Sequence, residues 1–332
     1  METAVALGFR SARGLVNGVL RRFTREREQI EQSLATDAVA QHAHPSWFID
    51  AVTAAWPDEV SQILSEGNCK APLTLRCNLK HGTRDAYLAR LAAANIAATA
   101  HPASDAGINV TNGGDPRQLP GFGDGHVSVQ DGAAQLVAAS LDPPPSALVL
   151  DACAAPGGKT AAMLERNPGL AVTALDVDRA RIDTTREGLE RLGLTATLKV
   201  GDACTPSAWH NGAQFSHILI DAPCTATGII RRHPDIKLRR AEGDDAKLAL
   251  IQGAMLAALW PLLAPGGTLL YATCSILPTE NSAVVNAFLS AHADAELEPL
   301  SLPFGRDTGA GMQLLPGDGD MDGFFYAKIG KR

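Results

Sequence analysis

The stretch Leu148-Val-Leu-Asp-Ala-Cys-Ala-Ala-Pro-Gly-Gly-Lys-Thr160 decides how this 332-residue chain is read. The aliphatic run Ala147–Leu150 reaches an acidic residue, Asp151, then breaks into small residues before an amphipathic stretch begins near Thr160. Strand, tight small-residue turn and helix start are the ligand-facing edge of a doubly wound α/β sheet. Gly157 and Gly158 have no Cβ, so a ligand can approach the backbone closely. The glycine spacing is not G-x-G-x-x-G, and the phosphate-cradling G-x-x-x-x-G-K-[ST] pattern is absent. A plain α/β turn stays open as a reading. The turn alone better suits a bulky, uncharged-to-cationic ligand such as S-adenosylmethionine.

Just upstream, Pro143-Pro-Pro-Ser146 punctuates the chain. Downstream, strands at Ala147–Ala152, Ala171–Val177, Ala196–Gly201, Phe215–Asp221 and Gly267–Thr273 alternate with helices at about 160–166, 179–192 and 245–263. That alternation is what a parallel sheet requires. Met312–Leu315 and Gly323–Ile329 read as an antiparallel hairpin closing its edge. Toward the N-terminus, 12–34 reads as a helix with the apolar stripe Leu15, Val16, Val19, Leu20 and Phe23. A second helix is expected at Trp47–Trp56 with Ser46 as its cap. Trp47, Phe48 and Trp56 suit core better than a base-stacking surface. Leu73–Leu79, Arg84–Ile96, Gly107–Thr111 and His126–Gln130 have the β-α-β-β content of a small α+β module of a kind appended to RNA enzymes. There Arg76 and Lys80 read as solvated charge, with phosphate contact as the alternative.

Composition is that of an ordinary globular protein, with 45% hydrophobic and 20% charged residues. A net charge of −7 removes the easy argument for nucleic acid without forbidding a local basic groove. The six cysteines contain no C-x-x-C pair, which argues against zinc, and a disulfide framework is out of place at this size. No signal pattern opens the chain, and the longest apolar stretch, Ala254–Ala264, is short and interrupted by Pro261. The default reading is a reduced, cytoplasmic enzyme that needs neither membrane nor metal.

Each strand of the expected sheet ends in a polar or reactive residue, where open α/β sheets bind ligands. Asp176 falls about 20 residues after the glycine turn, the spacing at which a carboxylate reaches a ribose diol. Asp202 is placed for an adenine amino group, and Asp221-Ala-Pro-Cys224 and Thr273-Cys-Ser275 end the next two strands. Two cysteines at neighbouring strand ends fit one chemistry. Cytosine C5 is a poor nucleophile toward a methyl sulfonium; a thiolate added at C6 makes C5 enamine-like. A second thiol or base then helps remove the C5 proton and release the enzyme. Lys159 is the cation available to favour a thiolate.

Asp-Ala-Cys-Ala-Ala-Pro-Gly-Gly-Lys-Thr (151–160), Asp-Ala-Pro-Cys-Thr-Ala-Thr-Gly (221–228) and Tyr-Ala-Thr-Cys-Ser (271–275) resemble the motifs of RNA cytosine-5 methyltransferases. Arg231-Arg-His-Pro-Asp-Ile236 and Asp322-Gly-Phe-Phe-Tyr-Ala-Lys328 narrow the resemblance to the bacterial 16S ribosomal RNA (cytosine-5)-methyltransferase B family. It implies a Rossmann-like S-adenosylmethionine-dependent methyltransferase domain at 143–332 and a smaller α+β RNA-binding region at 36–142. Residues 1–35 would be the last helix of a NusB-like domain, most of which is absent from this sequence, as in a fragment, a late start or a shortened enzyme. By resemblance, Cys153, Ala154, Ala155, Pro156, Gly157, Gly158, Lys159, Asp176, Asp202 and Asp221 line the site for S-adenosylmethionine, whose product is S-adenosylhomocysteine. Cys274 is the nucleophile and Cys224 the helper in release. The implied partner is 16S ribosomal RNA or an early small-subunit assembly particle, met by a monomer. The basic run Arg231–Arg240 follows Cys224 directly, so Arg231, Arg232, His233 and Lys237 are expected to contact phosphate. The same chemistry on transfer RNA or another ribosomal RNA, and an inactive RNA-binding assembly module, are the rivals.

Overall fold

In the computed structural model, which describes residues 2–332, short β-branched runs in the N-terminal half assemble a small antiparallel sheet. Its strands β1 (Leu73–Cys77), β2 (Ala98–Ala100), β3 (Gly107–Val110) and β4 (Val127–Val129) lie in the order β2-β3-β1-β4. Helix Arg84–Ala93, capped by the Thr83 hydroxyl accepting from the Ala86 N–H, drops Tyr87 and Leu91 onto Leu75, Ile108 and Val127.

The larger sheet has nine strands: β5 (Leu148–Ala152), β6 (Ala171–Asp176), β7 (Thr197–Val200), β8 (Phe215–Asp221), β9 (Leu263–Thr273), β10 (Ala295–Glu298), β11 (Arg306–Asp307), β12 (Met312–Leu314) and β13 (Phe324–Lys331). They run in the order β11-β12-β13-β9-β8-β5-β6-β7, with β10 also on β13. From β9 to β7 all neighbours are parallel; β13, β12, β11 and β10 pair antiparallel. Helices Gly132–Leu141, Gly158–Arg166 and Arg179–Arg191 bury their apolar sides on one face, Asp244–Leu259 and Ser282–Ala291 on the other. This is the Rossmann-like α/β architecture expected, with a smaller α+β unit before it. The chain leaves β5 for β6 and β7, then returns to β8 on β5's other flank. The strand order therefore reverses between β5 and β8, which opens a crevice at their C-terminal ends.

A third core cluster joins helices Ser46–Ala55 and Val60–Glu66 to the loops beyond β8 and β9 through Phe48, Val52, Ile63, Ile230, Ile276 and Leu315. Trp56 Nε1 donates to the Ile276 carbonyl at 2.8 Å. Trp47, Phe48 and Trp56 thus serve packing. Ser46 is not the cap expected of it: Pro45 holds the extended N-cap position and Ser46 is the first helical residue. Helix Gly132–Leu141 was not foreseen, because burial on nearly every face leaves no polar stripe to betray its period. Helix Ser282–Ala291 and the short strand β2 were missed as well, and the helix expected to reach residue 263 stops at Leu259, ahead of Pro261.

Arg76 is neither solvated nor free for phosphate. Its guanidinium forks onto Glu165 at 2.7 and 2.9 Å, with both side chains 3% exposed, and donates to the Gly158 carbonyl at 2.9 Å. The pair docks the small sheet against the helix that follows the Cys153–Lys159 turn. Helix Arg13–Ser33 buries no residue, and its stripe stands outward, Leu15 at 72% exposure. Among the described residues no helix is long and apolar enough to cross a membrane.

Candidate active site

The crevice between β5 and β8 is a cavity of about 390 Å³ built from strand ends. The turn after β5 opens with Cys153 in the left-handed region at φ 61°. The Ala154 N–H then donates to the Leu175 carbonyl at 2.9 Å and the Ala155 N–H to Asp176 Oδ2 at 3.1 Å. Gly157, at φ 90°, caps helix Gly158–Arg166. Its missing Cβ would meet Thr185 Cγ2 at 2.7 Å, so this glycine serves helix–turn packing rather than ligand approach. Of the expected turn residues, Cys153, Ala155 and Lys159 line the cavity. Ala154 and Gly157 are buried, Pro156 is exposed and Gly158 is half-buried at the helix start, none of them on the cavity wall.

Asp176, at the end of β6, fixes the turn and receives the Asp178 N–H at 3.1 Å, with Arg181 at 3.4 Å. Asp202 lies beyond β7 on the same wall, and Asp221 ends β8. Leu175, Val177, Ala203 and Met255 add apolar surface; Arg181, Val177 and Met255 were not anticipated. Lys159 Nζ reaches Asp221 Oδ2 at 2.7 Å and lies 5.3 Å from the centre of the Phe324 ring. Burial pushes the Lys159 ammonium down, but Asp221, Cys274 and Asp151 outweigh it and hold the pKa above its ordinary value. Behind them, burial lifts the Asp151 carboxyl to about 7, against the Thr160 hydroxyl that donates to it.

The turns after β8 and β9 bring Cys224 Sγ and Cys274 Sγ to 3.4 Å, both on the cavity wall. Cys224 is buried and Cys274 partly exposed. The hydrogen bond to Cys274, burial and the charge of Cys274 push the Cys224 thiol well above its ordinary range, and the charge of Glu280 adds to them. Arg240 holds its turn by donating to the Cys224 carbonyl at 2.9 Å and the Thr225 carbonyl at 3.1 Å. Gly228 and Gly323 let two backbones meet: a Cβ on Gly228 would stand 2.1 Å from the Gly323 oxygen. Glu280, fully buried, accepts from both the Cys224 and the Cys274 turn. Sequence reasoning missed it; the one signal was a carboxylate six residues beyond Cys274, just past a proline.

The basic run needs correction. Arg231, 3% exposed, donates to Asp322 Oδ1 at 2.6 Å and to the Asp320 carbonyl. Arg232 engages Asp322 and Asp131. Lys237 donates to the Ala43 carbonyl at 3.0 Å and to Asn68. These three cations are spent on internal acceptors, because the loop after Cys224 runs between the N-terminal helices and the approach to β13. His233 alone of the four is exposed without such a partner.

A family model described as 16S rRNA methyltransferase RsmB/F matches residues 138–330. A second, described as an RsmF/B-like methyltransferase ferredoxin-like domain, matches 44–116. The chain is 49% identical over 319 residues to ribosomal RNA small subunit methyltransferase B of Pseudomonas putida, covering 96% of this chain and 73% of that one. It is 46% identical over 321 residues to the protein of the same name from Vibrio cholerae, with the same two coverages. A crystal structure of a methyltransferase homolog from Pyrococcus horikoshii superposes with a TM-score of 0.78 at 27% identity, covering 89% of this chain and 98% of that one.

Proposed function

The chain belongs to the 16S rRNA methyltransferase RsmB/F family, and from that premise we propose that it methylates C5 of one cytosine in 16S ribosomal RNA, with S-adenosylmethionine as donor and a covalent Cys274–C6 adduct. The observation that carries this reading is the pair of thiols 3.4 Å apart at the end of the β5–β8 crevice, beside Lys159.

The cavity suits the donor in size, since small-molecule sites run from about 300 to 1,000 Å³. It suits it in charge, because Asp176, Asp202 and Asp221 face two cations, Lys159 and Arg181, on a wall with apolar patches. Cys153, Ala155, Lys159, Asp176, Asp202 and Asp221 are the residues that would hold it. When bound, it supplies an electrophilic methyl group on a sulfonium.

The protein's own groups then divide the work. A target cytosine must leave its stack to reach a thiol. Lys159, kept charged by Asp221, is the cation on the wall that it shares with the two thiols. Cys274, the more exposed of the pair, adds to C6 and makes C5 nucleophilic. Cys224 keeps its proton until the adduct forms and then gives it to the ring, which has taken up the charge of the adding thiolate. The thiolate this leaves on Cys224 accepts the C5 proton of the methylated adduct, the Cys274 sulfur leaves C6 with the electron pair of the C6–S bond, and the ring, aromatic again, releases the borrowed proton to water. Methylation takes place in the cytoplasm, on free RNA or an early small-subunit particle.

Incubation with unmodified 16S RNA and labelled donor, with the modified base mapped, tests the reading. The expected product is 5-methylcytosine at a single loop position. Transfer to transfer RNA in preference to 16S RNA would replace the substrate, and methyl on any atom but C5 would discard the mechanism.

A further inference from the structure

Two neighbouring cysteines raise a problem of identity: nothing in a thiol decides which one attacks. The answer lies beneath them, in a carboxylate outside the cavity. Glu280 sits in the short turn Pro278–Glu280 and has no exposed surface. Its Oε1 accepts from the Thr225 N–H at 2.8 Å and Gln252 Nε2 at 3.1 Å. Its Oε2 accepts from the Thr225 hydroxyl at 2.5 Å and the Ser275 hydroxyl at 2.6 Å. Two bonds on each oxygen use the full acceptor capacity of an ionised carboxylate. Burial raises the Glu280 pKa, and these four donors pull against that rise.

The donors come from both cysteine turns. Thr225 follows Cys224 and Ser275 follows Cys274, so one carboxylate clamps the residue after each thiol. Ser275 passes the clamp on by accepting from the Leu277 N–H at 3.1 Å, and Thr227 accepts from the Ile276 N–H at 3.1 Å. Among the described residues no cation pairs with Glu280 directly; Arg240 spends its guanidinium on the carbonyls of Cys224 and Thr225. The placement is asymmetric. Glu280 binds the peptide N–H next to Cys224 but only a side-chain hydroxyl on the Cys274 side. Lys159 lies on the cavity wall, out of the hydrogen-bond set of Glu280.

We propose that Glu280 is the positioning residue that tells the two cysteines apart: it fixes their turns to one another and sets a buried carboxylate against the peptide that follows Cys224, so that Cys274 is the one that attacks. This rests on the covalent reading above. Cys224 then has a proton to hold and hand on, which a second thiolate beside the first would not. Removing the charge while keeping the shape lets Cys224 ionise in competition with Cys274, and productive attack falls.

The test compares the full chain with Glu280→Gln and Glu280→Asp, using iodoacetamide labelling of the Cys224 and Cys274 peptides across pH, read by mass spectrometry without RNA. In the wild type, Cys224 is expected to label with a pH midpoint above that of Cys274. Glu280→Gln should lower the Cys224 midpoint by about one pH unit, a change of about tenfold in thiolate at a given pH. Glu280→Asp, which keeps the charge, should restore most of the gap. With RNA, Glu280→Gln should lose about tenfold in kcat with KM little changed. A Cys224 midpoint that is the same in wild type and Gln variant, or equal shifts for Gln and Asp, would overturn the proposal. Should the Gln variant fail to fold, the wild type still decides: a Cys224 midpoint at or below that of Cys274 rejects it. Labelling needs no substrate, so a chain that labels as expected yet leaves C5 of 16S RNA unmethylated refutes the functional reading and not this one.

Discussion

Two sets of charged residues flank the Cys224 turn, and they have opposite fates. On the cavity side, Lys159 and Asp221 pair at 2.7 Å with 12% and 27% of their side chains still exposed. On the other side, Arg231 and Asp322 pair at 2.6 Å with 3% and 1% exposed. The first pair faces a space a substrate can enter. The second is sealed between the N-terminal helices and the start of β13, with Arg232, Asp131 and Glu66 completing it. Nearness in the chain to a reactive cysteine therefore says little about which cations meet substrate. Both cations are paired with a carboxylate; what decides is whether the pair still opens on a space or is sealed between packed elements. A sealed pair is not strong evidence of stability in itself, because desolvation offsets much of its attraction, but losing one partner strands the other.

The largest effect that can break this contrast lies at the thiols. Cys274→Ala should abolish methylation and any covalent enzyme–RNA species while leaving the unfolding midpoint little changed. Cys224→Ala should attack, methylate once and stall, accumulating a protein–RNA complex that survives denaturing electrophoresis. The double variant should give no complex. An adduct in Cys274→Ala but not in Cys224→Ala would exchange the two roles.

On the sealed side the cost should appear as stability. Asp322→Asn leaves Arg231 and Arg232 short of their shared carboxylate and should destabilise by about 3 kcal/mol in urea unfolding. A variant as stable as the wild type that has lost RNA affinity would return those arginines to the substrate.

A pH dependence sharpens the contrast inside the cavity wall. Asp151 is raised from 3.8 to about 7 by burial, so the folded state binds a proton that the unfolded state has released over that interval. Its stabilisation is full below the ordinary carboxyl range and is lost as pH rises through about 7. The wild-type denaturation midpoint should therefore fall more than that of Asp151→Asn between about pH 5 and pH 8. Parallel profiles for the two proteins would remove Asp151 from the account.

The smallest effect is expected on the exposed flank of the same basic run. Arg239, with 79% of its side chain exposed and only Asp235 beside it at 3.2 Å, should cost less than about 0.5 kcal/mol of stability on replacement by alanine. Any loss of RNA affinity should be modest and should shrink with added salt in filter binding. A drop as large as that for a cavity residue would mean the run reads substrate after all.

The sequence by itself determined the parallel strands β5 to β9 and the β12–β13 hairpin, because they are short apolar runs ending in acidic or small residues and that pattern is local; β10 and β11, short and polar, were not legible in it. It also marked Asp151–Lys159, Asp176, Asp202, Asp221, Cys224 and Cys274, since each stands at a strand end where the alternating βα order opens one crevice. Helix Gly132–Leu141 escaped because it is buried on almost all sides and so carries no amphipathic period. Only the tertiary structure decided how the charges are used. Arg76 and Glu165 are 89 residues apart, and Arg231 and Asp322 are 91 apart, so no window along the chain shows that they neutralise each other. The same holds for Glu280, which binds Thr225 from 55 residues away. Periodicity and turn chemistry are properties of neighbours in sequence; the partner of a buried charge is fixed by packing between distant segments, and packing exists only once the chain has folded.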